Sequence, residues 1–417
     1  MIQQTNPNNC CDNNVNGRTK PLTWSDSVPD IVRGNMAARR EMPLSYMELI
    51  LTTDCNLRCS YCFERNKQPY NMSKEVAVAS IDFLIQASRN VNNLTVLLFG
   101  GEPMVRFDLM TEIVPYGNKK AEEVGKTIGW DMTTNGTLID EERAQWLAEN
   151  RVKYLLSMDG AKADHDRYRK FPNGAGSYDL LIERLPMMKS YQPWMGTKMS
   201  VTPESTLNLK DNLLDLWKHG ITQFIIGYVH GMNWTDEALL NYERGMLEVC
   251  ELYLEMQHKG EYFRITTYEE DTICDIKELP FGCGAGRGRF CVDPWGDMFG
   301  CSKMCTIMGP GQGILPFGNV FQGFTWNHNR LCCLNACIGP RKKCQGCDYV
   351  KICGGGCPAT NYAETGDVFI PGDEACKLGL ICRRIDRYMR QRHDEVFGTD
   401  WSKRTEQLCQ ETDLPLV

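Results

Sequence analysis

The uneven distribution of cysteine constrains this chain more than any other feature of its sequence. The 417 residues include 21 cysteines. Three lie between residues 55 and 62, none lie between 63 and 249, and most of the others lie between 274 and 376. Disulfides are rare in the cytosol, so this many cysteines in a cytosolic chain indicate metal binding. The distribution therefore predicts two metal-bearing regions separated by a scaffold without cysteine.

The composition points to the cytosol. The N-terminus "MIQQTNPNNCCDNN" lacks the apolar stretch of a signal peptide. The longest apolar runs, such as "LTVLLFG" at 94–100, have the length of a strand and are too short to cross a membrane. The net charge of −7 argues against a general nucleic-acid binder. We therefore expect a cytoplasmic protein with neither a membrane nor a nucleic acid as its partner.

Apolar strands and helical stretches alternate between residues 46 and 230. Ser73 followed by Glu75 is a favourable start for the first helix, which the pattern places at 73–90. The six predicted strands are 46–53, 94–100, 127–134, 153–159, 197–202 and 223–229, and a second clear helix is 140–150. Six strand–helix units predict a parallel β/α barrel or part of one. Active sites of such barrels lie at the C-terminal ends of the strands, which is where Cys55 follows the first strand.

The sequence divides into five segments. After residue 281, glycine and cysteine dominate and the apolar periodicity weakens. That segment is expected to build little apolar core and to depend on metal for its structure. The predicted segments are a lead-in at 1–45, the barrel at 46–235, a helical linker at 236–280, a cysteine-rich domain at 281–380, and a C-terminal helix and tail at 381–417.

Three cysteines lie close together in the stretch "TTDCNLRCSYCFE". Cys55, Cys59 and Cys62 have the spacing C-x3-C-x2-C, and the next cysteine along the chain is Cys250. A [4Fe-4S] cluster bound by three cysteines leaves one iron open to a substrate or cofactor, much as a catalytic zinc keeps one position open. The same three residues could instead be plain reduced cysteines or half of a zinc site.

The spacing resembles that of the radical S-adenosylmethionine (SAM) enzymes. The second strand ends in "FGGEP" at 99–103, which is similar to the glycine-rich SAM motif of that family. "TTNG" at 133–136 and "SMDG" at 157–160 end the third and fourth strands and resemble the polar residues that the family places around SAM. The resemblance implies that the open iron chelates SAM. It also implies that reductive cleavage of SAM yields a 5′-deoxyadenosyl radical, which abstracts hydrogen.

The resemblance further implies which side chains contact SAM. Tyr61 packs near the adenine. Gly100 and Gly101 let the backbone approach the ligand, and Glu102 offers a carboxylate to the SAM ammonium group. The remaining candidates are Pro103, Asn135, Ser157, Asp159 and Arg169. The two strand-end motifs are alternatively plain turns, and Arg169 is alternatively a solvated surface charge. The sequence assigns no general base or other catalytic residue.

Two cysteine patterns in the C-terminal region resemble the SPASM domain, an extension of radical SAM enzymes with two auxiliary [4Fe-4S] clusters. One pattern runs from Cys283 through Gly296 to Cys301. The resemblance implies that this set and Cys357 hold the first auxiliary cluster, and that Cys291 either completes the set or points away from it. It implies that the second auxiliary cluster takes Cys344, Cys347, Cys353 and Cys376. With the first loop, these sets give three [4Fe-4S] clusters. The cysteines outside the pattern are expected to be buried small apolar side chains; they are Cys305, Cys332, Cys333 and Cys337.

The predicted fold is an α/β protein, a partial parallel (β/α)6 barrel of radical SAM type followed by a small irregular iron–sulfur domain of SPASM type. Because enzymes with this domain mostly modify peptides or proteins, the resemblance implies a maturase of a ribosomally made peptide that forms a crosslink or another oxidative modification. Formylglycine formation by sulfatase maturases fits less well. Ser302 stands where those enzymes have an Asp base, and Phe99 stands where they have Gln. The sequence also leaves open a radical SAM dehydrogenase of a small molecule, a glycyl-radical activase and an electron-transfer protein.

The expected partners are a peptide or protein substrate and an electron donor. Only 45 residues precede the first strand and they lack a winged-helix pattern. Recognition of a leader peptide is therefore expected to be absent, rebuilt or supplied by a separate leader-binding protein. Basic residues at 340–344 and 383–392 flank the second auxiliary pattern. They either dock a flavodoxin or ferredoxin or, as we favour, form a solvated helix face.

Overall fold

Strands from both predicted regions join one sheet in the computed structural model of the chain. The model describes residues 43–64, 69–269, 285–286, 288–305, 314–324, 342–344, 347, 353, 355–368 and 370–400. The strands of this sheet are β1 Tyr46–Thr52, β2 Asn93–Gly100, β3 Thr127–Thr134, β4 Val152–Leu156, β5 Gly196–Val201, β6 Gln223–Tyr228, β7 Arg264–Ile265, β8 Arg289–Val292, β9 Asp297–Phe299, β10 Gly318–Asn319 and β11 Gly323–Phe324. Their order is β11-β10-β9-β8-β1-β2-β3-β4-β5-β6-β7.

Strands β1 to β7 pair in chain order, and every pair is parallel. Helices connect them, as parallel strands require. The helices are α1 Lys74–Ala87, α2 Phe107–Glu123, α3 Glu141–Glu149, α4 Lys162–Tyr168, α5 Tyr178–Tyr191, α6 Leu209–Lys218, α7 Asp236–His258, α8 Thr266–Glu269, α9 Pro358–Thr365 and α10 Asp373–Phe397. The predicted fold class, a parallel radical SAM sheet followed by a cysteine-rich region, is confirmed.

The pattern of apolar residues along the sequence predicted the positions of the barrel strands well. Strand β2 alternates buried and partly exposed residues along its length, the signature of a strand with one face against helices. The first helix begins where expected, because the Ser73 side chain accepts a hydrogen bond from the Val76 N–H at 3.3 Å. The fourth strand ends at Leu156 rather than 159. The three residues that follow leave the strand direction and enter the site described below.

The linker predicted at 236–280 begins with α7, which Thr235 caps through the Ala238 N–H. A two-residue strand, β7, then adds to β6 and extends the barrel sheet beyond the six predicted strands. Residues 270–280 lie outside the described ranges.

The start of the cysteine-rich region adds directly to the edge of the barrel sheet. Strand β8 pairs parallel with β1, and β8, β9, β10 and β11 then follow as antiparallel neighbours. The side chains of Phe290, Val292, Met298 and Phe299 are buried in the same apolar core as the barrel. The expectation of little apolar core after residue 281 is therefore wrong for 289–305 and 314–324. These short strands bury apolar surface by completing an existing sheet, which their own weak periodicity does not indicate.

Basic residues of the C-terminal helix pair with acidic residues of α7. The Arg384 guanidinium donates to both carboxylate oxygens of Glu243 at 2.6 and 2.7 Å. Arg392 likewise donates to Glu251 at 2.9 and 3.2 Å. These exposed pairs fasten α10 along α7 and neutralise much of the basic segment at 383–392. No helix within the described ranges is both long enough and apolar enough to span a bilayer.

Candidate active site

The glycine-rich end of β2 lies directly against the backbone that leads into the three-cysteine loop. The Gly101 N–H donates to the Thr52 carbonyl at 2.9 Å, and the Glu102 N–H donates to the Asp54 carbonyl at 2.8 Å. A Cβ on Gly100 would lie 2.2 Å from the Thr52 oxygen, and one on Gly101 would lie 2.2 Å from the Asp54 oxygen. Gly100 also has a φ of +136°, which disfavours any residue with a side chain. The two glycines therefore let β2 close against the segment that sets the position of Cys55.

The loop after β1 carries the three cysteines, and a turn joins the last two of them. The Cys62 N–H donates to the Cys59 carbonyl at 3.1 Å. The Cys55 sulfur is buried and accepts hydrogen bonds from the Leu57 N–H at 3.4 Å and the Asn135 Nδ2 at 3.8 Å. N–H donors aimed at sulfur stabilise a thiolate, which is the form that binds iron. The donor set thus fits a [4Fe-4S] cluster held by three cysteines.

Glu102 connects the ends of β2 and β3. Its side chain is 1% exposed, and burial raises the pKa of its carboxyl group. The carboxylate accepts hydrogen bonds from the Met104 N–H at 3.0 Å, the Thr134 hydroxyl at 2.7 Å and the Asn135 N–H at 2.7 Å. Pro103 follows as the first residue of a buried 3-10 turn. A carboxylate has about four acceptor positions, so one remains for the predicted contact with the SAM ammonium, which stays a prediction.

Asn135, the other predicted SAM contact at the end of β3, is 6% exposed. Its Nδ2 donates to the Asn56 side-chain oxygen at 2.8 Å, and its own oxygen accepts from the Thr137 N–H at 2.9 Å. The Asn56 amide in turn donates to the Thr137 hydroxyl at 2.7 Å. Asn135 therefore holds the cysteine loop onto β3 through contacts within the protein. Asn56 and Thr137 are partners that the sequence did not indicate.

Tyr61, Asp159 and Arg169 form one buried cluster beside the loop. The Arg169 guanidinium donates to both oxygens of Asp159, at 2.7 and 3.0 Å, and lies 5.4 Å from the centre of the Tyr61 ring. The Tyr61 hydroxyl and the Ser200 N–H also donate to Asp159. Arg169 is only 8% exposed, so the interpretation as a solvated surface charge is wrong.

The carboxylate of Asp159 accepts four hydrogen bonds from the protein, which fills its usual acceptor capacity. Its role in the structure is to orient Tyr61 and Arg169. Ser157, two residues earlier, is fixed through its N–H, which donates to the Thr134 carbonyl at 2.8 Å. Its side chain is partly exposed at the strand end and stays a predicted SAM contact.

His165 contacts this cluster through the backbone of Asp159. The sequence did not indicate this residue. Its Nδ1 accepts from the Asp159 N–H at 3.4 Å, and its Nε2 lies 2.9 Å from the Ser177 hydroxyl. Burial, aided by the charge of Arg169, lowers the pKa of His165 to about 4, so the ring is neutral near pH 7.

The cysteines of the first auxiliary pattern lie at the junction of the two regions. Cys291 is fully buried on β8, opposite Glu48 of β1. Burial raises the pKa of the Cys291 thiol, and the nearby Cys305, Glu48 and Cys301 raise it further. Cys291 pairs with Phe299 of β9, two residues before Cys301, and its role as a ligand of the first auxiliary cluster stays a prediction. Gly296 of the same pattern makes the hairpin turn between β8 and β9, with a φ of +88°.

The cysteines of the second auxiliary pattern also gather. The Cys347 N–H donates to the Cys344 carbonyl at 3.2 Å. Burial raises the pKa of the Cys376 thiol, and Cys353 and Cys347 are close enough to raise it further. Cys357 is a partly exposed cap of α9, and Cys305 is fully buried, as expected of a cysteine outside the pattern. Cys283, Cys332, Cys333 and Cys337 lie outside the described residues.

Four further polar side chains lie on strands or in turns of this sheet. Glu48 is 8% exposed, and its Oε2 accepts from the Ser302 N–H at 2.7 Å, which joins the barrel to the turn after Cys301. The others are Lys198, His230 and Lys303. Glu48 and Lys198 are charges within otherwise apolar strand segments, "YMELILTT" and "TKMSVT", and that contrast is the signal by which they could have been found.

Comparisons with known proteins agree with the fold and the cysteine loop described above. The family model described as the radical SAM superfamily matches residues 49–242. A cysteine-type anaerobic sulfatase-maturating enzyme of Clostridium novyi is 23% identical over an alignment of 333 residues, and the match covers 73% of this chain and 85% of that enzyme. Protein MJ0907 of Methanocaldococcus jannaschii is 30% identical over 178 residues, 43% of this chain. The match spans only 60% of the length of MJ0907.

Two solved structures share the fold. The structure of anSMEcpe with bound AdoMet has a TM-score of 0.70 at 20% identity, over 85% of this chain and 99% of that one. Streptococcus suis SuiB bound to its precursor peptide SuiA has a TM-score of 0.58 at 14% identity, over 87% of this chain and 84% of that one.

The parallel sheet and the three-cysteine loop at its mouth are those of a radical SAM enzyme, and residues 49–242 of the chain match the radical SAM superfamily. Within that superfamily it is similar to the SPASM-type maturases, whose fold continues from the barrel into a cysteine-rich region as this chain does.

Proposed function

We propose that this enzyme is a maturase that abstracts hydrogen from a residue inside a ribosomally made peptide. The observation that carries the proposal is the pairing of β8 with β1, which sets Cys291 opposite Glu48 on the strand that leads into the cysteine loop. A peptide residue bound near this junction would lie between the two sets of thiols. The sulfatase-maturating relative and the SuiB complex with its precursor peptide support a peptide or protein substrate.

Cys55, Cys59 and Cys62 would hold the first cluster and leave one iron for SAM. When bound, the cluster and SAM supply a 5′-deoxyadenosyl radical. The residues around them bind and orient. Glu102 fixes the end of β3 and offers its remaining acceptor position to the SAM ammonium. The ion pair of Asp159 and Arg169 holds the Tyr61 ring beside the loop.

Two auxiliary clusters complete the proposal. Cys344, Cys347, Cys353 and Cys376 would bind one of them, and Cys283, Cys291, Cys301 and Cys357 would bind the other. Cys291 lies on β8 opposite Phe299, two residues before Cys301, and this register supports four protein ligands at the second of these sites. Three clusters allow electrons to leave the substrate after hydrogen abstraction. A flavodoxin or ferredoxin in the cytoplasm would supply the electron that starts the reaction.

Two residues of this chain, Ser302 and Phe99, argue against formylglycine formation. Ser302 has no carboxylate, and its N–H is engaged by Glu48. Phe99 stacks on Phe63 with ring centres 6.5 Å apart and an interplanar angle of 14°. The mouth is therefore apolar where those maturases carry an amide.

The test uses anaerobically reconstituted protein with SAM and dithionite. Without substrate, slow release of 5′-deoxyadenosine is expected from the native chain and none from a variant with Cys55, Cys59 and Cys62 all changed to Ala. A precursor peptide encoded next to the gene should raise the rate and lose two mass units, or exchange one hydrogen if the reaction is epimerisation. Consumption of a small alcohol or amine, with no peptide altered, would replace the maturase with a small-molecule dehydrogenase.

A further inference from the structure

Glu48 is an acidic residue within the otherwise apolar strand β1. It pairs in register with Cys291 of β8 on one side and with Leu97 of β2 on the other. Residues paired in this way point to the same face of a sheet, and successive residues of a strand point to opposite faces. Phe290, next to Cys291, contacts Phe83 of α1 with ring centres 5.8 Å apart, so the helices cover its face. Glu48 and Cys291 therefore share the other face, which is the inside of the barrel.

The carboxylate of Glu48 also holds the turn that follows another proposed ligand of the first auxiliary cluster. Its Oε2 accepts a hydrogen bond from the Ser302 N–H at 2.7 Å, and Ser302 directly follows Cys301. Glu48 is thus fixed beside two of the proposed ligands at once. One of them, Cys291, is its neighbour on the adjoining strand, and the other, Cys301, is the residue before its hydrogen-bond donor.

No cation among the described residues lies within ion-pair distance of Glu48. Arg289 of β8 is in register with Tyr46, and its guanidinium lies over the Tyr46 ring at 4.6 Å from the ring centre. Lys303 follows Ser302 in the turn and forms no ion pair with Glu48. Glu48 is 8% exposed, so water screens its charge poorly. The negative charge of Glu48 is therefore left to act on its neighbours.

The other acidic residue close to Cys291 is bonded differently. Asp293, in the turn after β8, accepts hydrogen bonds from the Trp295 N–H at 2.9 Å and the Asp297 N–H at 3.0 Å. Two backbone donors offset part of the charge of that carboxylate and hold the hairpin turn. Within the described ranges Glu48 accepts a bond from one donor, so less of its charge is offset.

The group that these cysteines are proposed to hold is itself negatively charged. Four thiolates and a [4Fe-4S]2+ core sum to two formal negative charges, and reduction by one electron adds a third. A carboxylate fixed beside such a cluster repels the added electron, and this repulsion is stronger in a protein interior than in water. A buried carboxylate next to the cluster therefore lowers the reduction potential of the cluster.

We propose that Glu48 is a positioning residue of the first auxiliary cluster, which holds the turn after Cys301 onto β1 and lowers the reduction potential of the cluster bound there. The proposal rests on the proposed maturase function and its auxiliary clusters. In that function the substrate radical gives up one electron, and the [4Fe-4S]2+ cluster that accepts it becomes [4Fe-4S]+. A lower potential at the first auxiliary site favours transfer of that electron onward to the second.

The test measures reduction potentials of anaerobically reconstituted protein by redox titration followed by electron paramagnetic resonance. Changing Cys55, Cys59 and Cys62 together to Ala removes the SAM-binding cluster, so that the two auxiliary clusters alone give the signal. In this background Glu48→Gln keeps an oxygen that can accept from the Ser302 N–H and removes the charge. One cluster should become about tenfold easier to reduce, a rise of about 59 mV in its potential. The potential of the other should change by less than about twofold in the same equilibrium constant.

Three further variants complete the design. The signal that shifts should be the one that Cys301→Ala removes. Glu48→Leu, which removes both the charge and the acceptor, should raise the potential of this cluster at least as far as Glu48→Gln does. Asp131→Asn is the matched control, because Asp131 of β3 is in register with Leu97 and so lies in the same row of the inner face, two strands from Glu48. It should change neither potential by more than about twofold in the equilibrium constant.

Unchanged potentials in Glu48→Gln, with the iron of both auxiliary clusters retained, would overturn the proposal. An equal shift in Asp131→Asn would also overturn it, because the effect would not depend on the contact with Ser302. A shift in Glu48→Leu without one in Glu48→Gln would leave Glu48 a purely structural role and would overturn the assignment of its charge. A native chain with about four iron atoms instead of about 12 would refute the auxiliary clusters of the proposed function, and this proposal with them.

Discussion

Arg169 and Asp159 form a buried bidentate ion pair, with Nε to Oδ2 at 2.7 Å and Nη2 to Oδ1 at 3.0 Å. The pair connects the fourth strand end with the loop after α4, and it also holds Tyr61. Burying two charges is favourable only when each is paired and hydrogen-bonded, as both are here. The removal of one partner leaves the other charge buried and unsatisfied.

The first prediction follows from that pair. Arg169→Gln should destabilise the protein by about 3–5 kcal/mol, because the Asp159 carboxylate remains buried without its cation. Lys162→Gln, which removes exposed ion pairs to Asp166 and Asp179, should cost at most about 1 kcal/mol. Anaerobic urea unfolding followed by tryptophan fluorescence measures both. Equal losses of unfolding free energy in the two variants would mean that the buried pair stabilises the protein no more than the exposed pairs do.

The sequence predicted the barrel because its signals are local. Strand period, helix caps and strand-end polar residues are set within a few neighbours, and β3 was placed at its observed bounds of 127–134. The environment of a charge depends on distant partners instead. Arg169 looked solvated until its loop placed it against Asp159, and the pairing of Glu48 with Ser302 joins residues 254 positions apart. A single sequence gives no signal for such contacts.

The same distinction between local signals and distant contacts applies to the site. The three cysteines and the two glycines could be identified from spacing, because their chemistry needs those residues in that order. The contacts of Glu102 and Asn135 within the protein could not be identified. Both were predicted to face SAM, and the structure shows that most of their hydrogen-bonding capacity serves the loop and β3.

The second prediction separates these two roles of Glu102. Glu102→Gln should weaken SAM binding by roughly ten- to a hundredfold and leave the iron content intact, since a charge-assisted hydrogen bond contributes on the order of 1.5–3 kcal/mol. Thr134→Val is the control, because it removes one donor to the same carboxylate and leaves the charge. It should change SAM affinity by less than about threefold. Similar losses in both variants would show that Glu102 acts only by holding β3.

The third prediction concerns metal content. Three [4Fe-4S] clusters correspond to about 12 iron atoms per chain. Changing Cys55, Cys59 and Cys62 together to Ala should leave about two thirds of that iron. SAM cleavage should be lost. Cys250→Ala is the control, because this cysteine is buried on α7 and its thiol donates a hydrogen bond to the Tyr268 hydroxyl. It should retain the full iron content. A native chain with iron near four atoms, or with zinc, would contradict the auxiliary assignment.

The fourth prediction addresses the ligands of the first auxiliary cluster. Cys291→Ala should lose about four iron atoms and most of the turnover, because its thiol is a proposed ligand of that cluster on β8, opposite Phe299 and two residues before Cys301 in register. Cys305→Ala alters a neighbouring buried cysteine that lies outside the pattern and should keep all three clusters. Full iron in Cys291→Ala, with product formed at the native rate, would instead indicate an open iron at this cluster.

The fifth prediction concerns the cost of the charge at Lys198. Its pKa is about 8 in the folded protein against an ordinary value of 10.5, because the ammonium is buried and lies near Lys303. Below pH 8 the lysine is charged in both states, so the folded state carries the full cost of burying that charge. Between pH 8 and 10.5 the folded state releases the proton first, and stability rises with pH.

Lys198→Met should therefore be more stable than the native chain at pH 7, by on the order of 1–3 kcal/mol. Any gain from the apolar methionine is independent of pH, whereas the gain from removing the charge should shrink steadily between pH 8 and 10.5. Urea unfolding at pH 7, 8.5 and 10 distinguishes the two contributions, and the exposed Lys210→Met should stay within about 0.5 kcal/mol of native at all three. A loss of stability at pH 7 would mean that the lysine already has a partner in the free enzyme.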